Sequence, residues 1–226
     1  MATFLQLIND VERESGTVAQ SQRLTTLASP VGRQEKIVEW TAQAWEMIQR
    51  ERRDWTFRRK QFSAALTIGQ TGYSATDLAI TDFGGWLTDR DDYQAFSLYD
   101  STIGRSDEGN LGLITYDRWM TLFDIGSPTN QRPYHIALGY DRKLYVGPPP
   151  DKAYVLRGGY KREIQTLSAA SDEPYIDDEF HQAIVWRALM LMAESDGALD
   201  EMATHLNKYR HIYSAMVREY TPGIEV

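Results

Sequence analysis

The chain has 226 residues, of which 42% are hydrophobic and 12% aromatic, enough to bury a core across one or two domains and too many for a disordered protein. It contains 0 cysteines, which excludes disulfides, thiolate nucleophiles and cysteine metal sites together. Its formal charge of -8 argues against broad electrostatic attachment to nucleic acid, which depends on Lys and Arg neutralising phosphate.

No stretch approaches the roughly 18 apolar residues that a membrane span requires. The N-terminal residues have no basic region ahead of their short apolar run and no small-residue cleavage site, so they do not read as a secretory leader and a cytosolic setting is expected. The first helix is predicted over residues 3–14, with Leu5, Ile8 and Val11/Glu12 at helical spacing and Gly16 as a stop. A polar stretch over residues 17–29 leads to Pro30 and a second helix over residues 34–54. There Ile37, Trp40, Thr41, Ala44 and Ile48 follow the i, i+3, i+4, i+7 rule, and Trp45 and Met47 widen the apolar face.

From residue 62 to about 165 the signals change to strands and loops. Strand patterns fall on Ala64-Ala65-Leu66-Thr67-Ile68, Leu111-Gly112-Leu113-Ile114-Thr115-Tyr116, Tyr134-His135-Ile136-Ala137-Leu138, Leu144-Tyr145-Val146 and Ala153-Tyr154-Val155-Leu156. Tyr140-Asp141-Arg142-Lys143 reads as a hairpin turn, and Pro148-Pro149-Pro150 forbids ladder donors and forces an extended link. Trp119-Met120-Thr121-Leu122-Phe123-Asp124 fits a short helix or a strand.

After Pro174 the pattern becomes helical again. Asp177-Asp178-Glu179 places acid at a helix start, where the macrodipole favours it, and Gly197 stands at the end or turn. Between them Phe180, Ile184, Ala188 and Leu191 form one stripe, flanked by Val185, Leu189 and Met192. The last helix carries Leu199, Met202, Leu206, Tyr209, Tyr213, Met216 and Tyr220 as one long seam, whose simplest partner is the preceding helix in an antiparallel hairpin. The fold class expected is α+β: a helical bundle built from N- and C-terminal helices with an inserted antiparallel β domain. The domain reading is residues 1–60 for the first helices, 61–165 for the insertion, and 166–226 for the closing hairpin with its tail.

Sites for chemistry are not recognisable. Gly69-Gln70-Thr71-Gly72 lacks the Lys-Ser/Thr ending of a phosphate loop, and Gly84-Gly85 and Gly158-Gly159 read as bulges or loop turns. The 4 histidines, His135, His181, His205 and His211, form no close ligand pair. Asp177, Asp178 and His181 share helical spacing for a divalent ion, but an acidic helix start beside an imidazole explains them as well. No Gly-x-Ser-x-Gly elbow is present. Neither a cofactor nor a metal site is expected, and the chain does not read as an enzyme. The alternative from another class is a hydrolase acting on carbohydrate through the loop acids Asp89, Asp92, Asp107 and Glu108, which would need a suitable spacing across a cleft. A carbohydrate-binding tail accessory module would instead stack sugars on Trp86, Tyr93 and Trp119, residues that core burial also explains.

The sharpest charged feature is Arg50-Glu51-Arg52-Arg53-Asp54-Trp55-Thr56-Phe57-Arg58-Arg59-Lys60. Its bases and aromatics suit a helix C-terminus carrying favourable cations followed by a strand that buries Trp55 and Phe57. They equally suit a docking surface for an acidic protein partner, or a grip on nucleic-acid backbone. The candidate interface residues are Arg50, Arg52, Arg53, Trp55, Arg58, Arg59 and Lys60, joined by Ile224 and Val226 in the C-terminal segment.

In order and in several residues these elements resemble the head-to-tail connector adaptor proteins of tailed bacteriophages, the ring docked beneath the portal. The resemblance runs over nearly the whole chain. It rests on Phe4-Leu5-Gln6-Leu7-Ile8, on Ile37-Val38-Glu39-Trp40 and the following Asp54-Trp55-Thr56-Phe57, and on Leu144-Tyr145-Val146-Gly147-Pro148-Pro149-Pro150. It continues through Tyr160-Lys161-Arg162, Pro174-Tyr175-Ile176, Phe180-His181-Gln182-Ala183-Ile184-Val185 and Tyr209-Arg210-His211-Ile212-Tyr213. The resemblance implies a structural virion protein, assembled in the host cytoplasm as a homo-oligomeric ring, a dodecamer matching the portal. It further implies the portal protein and tail or nozzle proteins as partners, and non-specific passage of DNA through the lumen during ejection. The C-terminal residues, Ile224 and Val226 among them, would then dock toward the portal. A net charge of -8 suits such a conduit, because an acidic lumen repels DNA and keeps it sliding.

Overall fold

The computed structural model describes residues 2–88 and 95–221. The chain forms two compact units, Met1–Arg58 with Ile164–Val226, and Arg59–Glu163. The class is α+β, with the four long helices in the first unit and the sheets, with one short helix, in the second.

The helical unit begins with α1, Phe4–Ser15, whose start is fixed by a capping box: the Gln6 N–H donates to the Thr3 hydroxyl, and the Gln6 amide oxygen accepts from the Thr3 N–H. Gly16 ends it in the left-handed region at φ 64°. The buried stripe is Phe4, Leu7, Ile8, Val11 and Glu12, so the face is turned slightly from the predicted one and Leu5 is only half-buried. Glu12 is fully buried and accepts from the Gln34 side chain at 2.9 Å and the Leu24 N–H at 3.3 Å. A carboxylate inside the unit thus ties the polar connection after α1 to the next helix, satisfying the rule that buried charge must be bonded.

The second helix, α2, is Arg33–Glu51, shorter than the predicted 34–54. Arg52 leaves the helix in an extended conformation at φ -136° and ψ 145°. The chain then folds back so that the Trp55 indole N–H donates to the Ile48 carbonyl at 3.0 Å. After the second unit, a 3-10 turn at Asp178–Phe180 leads into α4, His181–Asp196, and α5, Leu199–Tyr220, follows. α4 packs against α1, α2 and α5. Its burial is correspondingly broad, taking in Ala183, Ile184, Val185, Ala188, Leu189, Met190, Met192 and Ala193, as expected for a helix enclosed on several sides. In α5 only Tyr209 and Met216 are buried, and Leu199, predicted to open the seam, is 74% exposed. It occupies the first turn of α5, just past the Gly197 turn that ends α4.

The β unit contains two sheets. In the first the order is β1 (Arg59–Ala65), β9 (Tyr154–Arg162), β4 (Phe96–Asp100) and β5 (Gly109–Asn110), with β3 (Phe83–Trp86) also pairing β9, and every pairing is antiparallel. The second runs β2 (Gly72–Tyr73), β8 (Leu144–Gly147), β7 (His135–Leu138) and β6 (Gly112–Ile114), in which the β6–β7 pair is parallel. The residues left open between helix and strand are helical: α3, Tyr116–Trp119, continues into a π-helical turn, Met120–Asp124.

Two strand predictions shift. The predicted Ala64–Ile68 pattern becomes β1 ending at Ala65, because Thr67 and Gln70 turn to place their carbonyls on the Tyr73 hydroxyl at 3.0 and 2.9 Å. The predicted Ala153-Tyr154-Val155-Leu156 pattern becomes β9, which starts at Tyr154 and runs six residues beyond Leu156, through Gly158 and Gly159 to Arg162. Those two glycines are not a bulge: they pair Phe62 and Gln61 in register. A Cβ on Gly158 would strike the Phe96 ring, with the Phe62 ring 3.0 Å away, so glycine there lets two aromatic rings lie on the strand. Gly84 does sit at a bulge, where the β3 register shifts between Phe83 and Gly85.

Candidate functional site

The basic segment is split between the two units. In the helical unit Arg50 lies on the last turn of α2 and pairs with Glu46 one turn back at 2.9 Å, a surface pair of small energetic weight. Arg52 grips Asp54 with two parallel bonds, Nε to Oδ1 at 3.1 Å and Nη2 to Oδ2 at 3.0 Å. Its guanidinium carbon lies 5.9 Å from the centroid of the Trp55 ring. Hydrogen bonding to Asp54 holds the Arg52 pKa above its ordinary value. Arg53 is exposed.

Trp55 and Arg58 face the other way. Trp55 is fully buried, stacked on Phe57 at 5.3 Å and edge-on to Tyr213 at 5.9 Å, and Phe57 meets the Tyr220 ring edge-on at 5.3 Å. Arg58 is 6% exposed and donates to the Gln49 carbonyl at 3.4 Å. The aromatics of this segment are thus part of the core that seats α5, and the surface left for a partner consists of guanidinium groups. In the β unit Arg59 and Lys60 open β1, both exposed, and Lys60 pairs with Asp82 at 2.8 Å. Burial raises the Asp82 pKa, but bonds from Lys60 and the Tyr160 hydroxyl outweigh it and leave the group below its usual range. Ile224 and Val226 lie outside the described residues.

The loop acids are tied down. Glu108 accepts from the Ser97 hydroxyl at 2.6 Å, Arg105 at 3.0 Å and Arg157 at 2.9 Å, which together hold its pKa down to about 2. Asp107 accepts from Arg132 at 2.7 Å and is likewise lowered. A glycosidase acid needs the opposite shift, a carboxyl held protonated near neutral pH, so these two carboxylates are posts for arginine. Asp89, Asp92 and Tyr93 lie outside the described residues. Of the predicted stacking platforms, Trp119 is only 2% exposed, parallel to Tyr116 at 5.8 Å and tilted on Tyr145 at 4.9 Å. It cannot offer a face to a sugar. Trp86 is half-buried against Phe62, Phe83 and Phe96, and its indole N–H donates to the Arg142 carbonyl at 2.7 Å.

The histidines are placed by packing. His181 is 3% exposed, with Nε2 3.1 Å from the Ile176 carbonyl and Nδ1 3.3 Å from Asp178. Burial pushes its pKa down, partly opposed by the Ile176 bond and Asp178. His205 stacks on Trp186 at 5.8 Å, and burial and Lys208 lower its pKa too. Around it the helical unit gathers Glu14, Ser15, Met192, Asp200, Glu201 and Thr204 about a cleft of about 300 Å³. Sequence spacing did not bring Glu14 to Asp200; they meet because α4 packs against both α1 and α5. Among the described residues no group of three or more acids and histidines could hold a metal ion, and no helix is long and apolar enough to cross a membrane.

No curated protein matches the sequence. The family model described as SU10 adaptor protein matches residues 2–224, a span that takes in both compact units, and the chain belongs to the SU10 adaptor protein family.

Proposed function

We propose that this structural phage protein is the repeating subunit of a head-to-tail adaptor ring that joins the portal to the tail and forms part of the DNA conduit. The observation that carries this reading is the family match over residues 2–224, because it extends across the helical and the β unit alike. Copies assemble in the host cytoplasm and remain in the virion at the head-to-tail interface. The portal protein and tail or nozzle proteins are the partners, and DNA passes without sequence recognition. An acidic chain, at a formal charge of -8, favours passage over adhesion.

Within the helical unit, Arg50, Arg52 and Arg53 form the cationic patch that meets an acidic neighbour, either the next subunit or the portal. Exposed charges of this kind guide encounter and register more than they add affinity. The test is light scattering on size-exclusion chromatography of the chain, alone and with the purified portal protein of the same phage. The triple variant Arg50→Ala, Arg52→Ala, Arg53→Ala serves as comparator. Assembly is expected for the native chain and is expected to weaken by about tenfold in the variant, with the salt dependence reduced. Unchanged assembly of the variant counts against the patch.

A further inference from the structure

The first sheet of the β unit has a long edge. β1 pairs β9 without a break from Arg59↔Lys161 to Ala65↔Val155, and the Leu66 N–H donating to the Tyr154 carbonyl at 2.8 Å fixes the phase of that ladder. Residues along an antiparallel strand alternate between those bonded to the partner and those whose N–H and C=O point away. Arg59, Gln61, Ser63 and Ala65 therefore turn their backbone groups outward. All four are exposed, and among the described residues no strand pairs with that side of β1. Edges of this length are ordinarily blunted by proline, a bulge or inward charge. β1 has neither proline nor bulge over its 7 residues, and its charges stand only at Arg59 and Lys60.

The opposite edge of the same sheet is β5, exposed at both Gly109 and Asn110. There the Leu111 N–H donates to the Phe96 carbonyl at 2.9 Å, which leaves the N–H and C=O of Asn110 pointing away from β4. Among the described residues, one sheet thus carries an open edge on each side.

We infer that the β1 edge is completed by a second copy of this chain, through the β5 edge of that copy. This rests on the adaptor-ring reading. Joining two different edges is a heterologous contact that repeats from copy to copy and closes into a ring when the rotation allows, whereas β1 against β1 stops at a pair. The exposed Arg59 locally offsets the repulsion between copies that each carry a formal charge of -8. Because β5 has only 2 residues, the join supplies few hydrogen bonds. It sets register within a larger contact, so removing one bond should weaken association by about tenfold, without abolishing it.

Residue-resolved amide exchange on the full chain, dispersed and assembled, tests this directly. On assembly the amide of Asn110 and at least one outward amide of β1, from Arg59, Gln61, Ser63 and Ala65, are expected to slow by about tenfold or more, whereas Lys60, Phe62 and Ala64, already in the ladder, stay slow in both states. Ser63→Pro removes an outward donor that β9 does not use. It should weaken self-association by about tenfold while circular dichroism and the melting midpoint of the dispersed chain hold. A native chain that assembles with the outward amides still exchanging freely overturns the inference and leaves the ring reading intact. Protection that arises only when another virion protein is added does the same, whereas an assembly that stops at two copies overturns both. A chain that assembles neither alone nor on the portal overturns both.

Discussion

Trp55 shows how one side chain can organise a unit. Its ring joins the end of α2, Phe57 and Tyr213 of α5, and its N–H satisfies the Ile48 carbonyl where α2 stops. Trp55→Ala should cost about 3–5 kcal/mol of stability, the range for emptying a large buried aromatic site, measured by denaturant unfolding. A loss below about 1 kcal/mol would mean that the site collapses around the gap. At this scale pH also acts. The folded-state pKa of His181 lies below its ordinary value of 6.5, so as pH falls below about 6.5 the unfolded chain takes up a proton that the folded chain refuses, and stability declines until the lower folded value is reached. The melting midpoint should therefore fall between pH 7 and pH 5, and His181→Gln should flatten that slope. His205 is lowered as well and leaves a residual slope in the variant.

At the scale of elements, helix ends were legible because their signals are local. Gly16 and Gly197 each end the helix they were expected to end, whereas the equally local Thr3–Gln6 capping box was not read from the sequence. Gly197 has φ 69° and nothing within 4 Å of where a Cβ would stand, so its requirement is conformational alone. Gly197→Ala should cost about 1–2 kcal/mol, the penalty of the left-handed region, seen as a lower unfolding midpoint with an unchanged denaturant slope. Strand register was not legible. The extension of β9 through Gly158 and Gly159 depends on rings supplied by Phe62 and Phe96 from distant strands, and the parallel β6–β7 pair depends on Gly112 meeting His135 across 23 residues. The same reason hid the exposure of Leu199: it follows from which element lies alongside, and sequence periodicity reports a face without naming its neighbour.

At the scale of the whole molecule, the α+β class was readable from the change between helical and strand periodicity. The candidate interface was readable only in part. The basic run over residues 50–60 stood out by composition, but composition could not tell Arg50, Arg52 and Arg53, which reach the surface of the helical unit, from Trp55 and Arg58, which are buried in it. Its energetic division follows: Trp55 and Arg58 bear on folding, and in the proposed adaptor Arg50, Arg52 and Arg53 bear on association. In the proposed function many copies of this chain act together on a portal. Native mass spectrometry of the chain mixed with the portal protein of its phage tests it most directly. A single dominant complex holding one portal ring and a full ring of adaptor copies is the predicted result. Free portal beside monomeric chain, or a lone copy bound per portal ring, would contradict it.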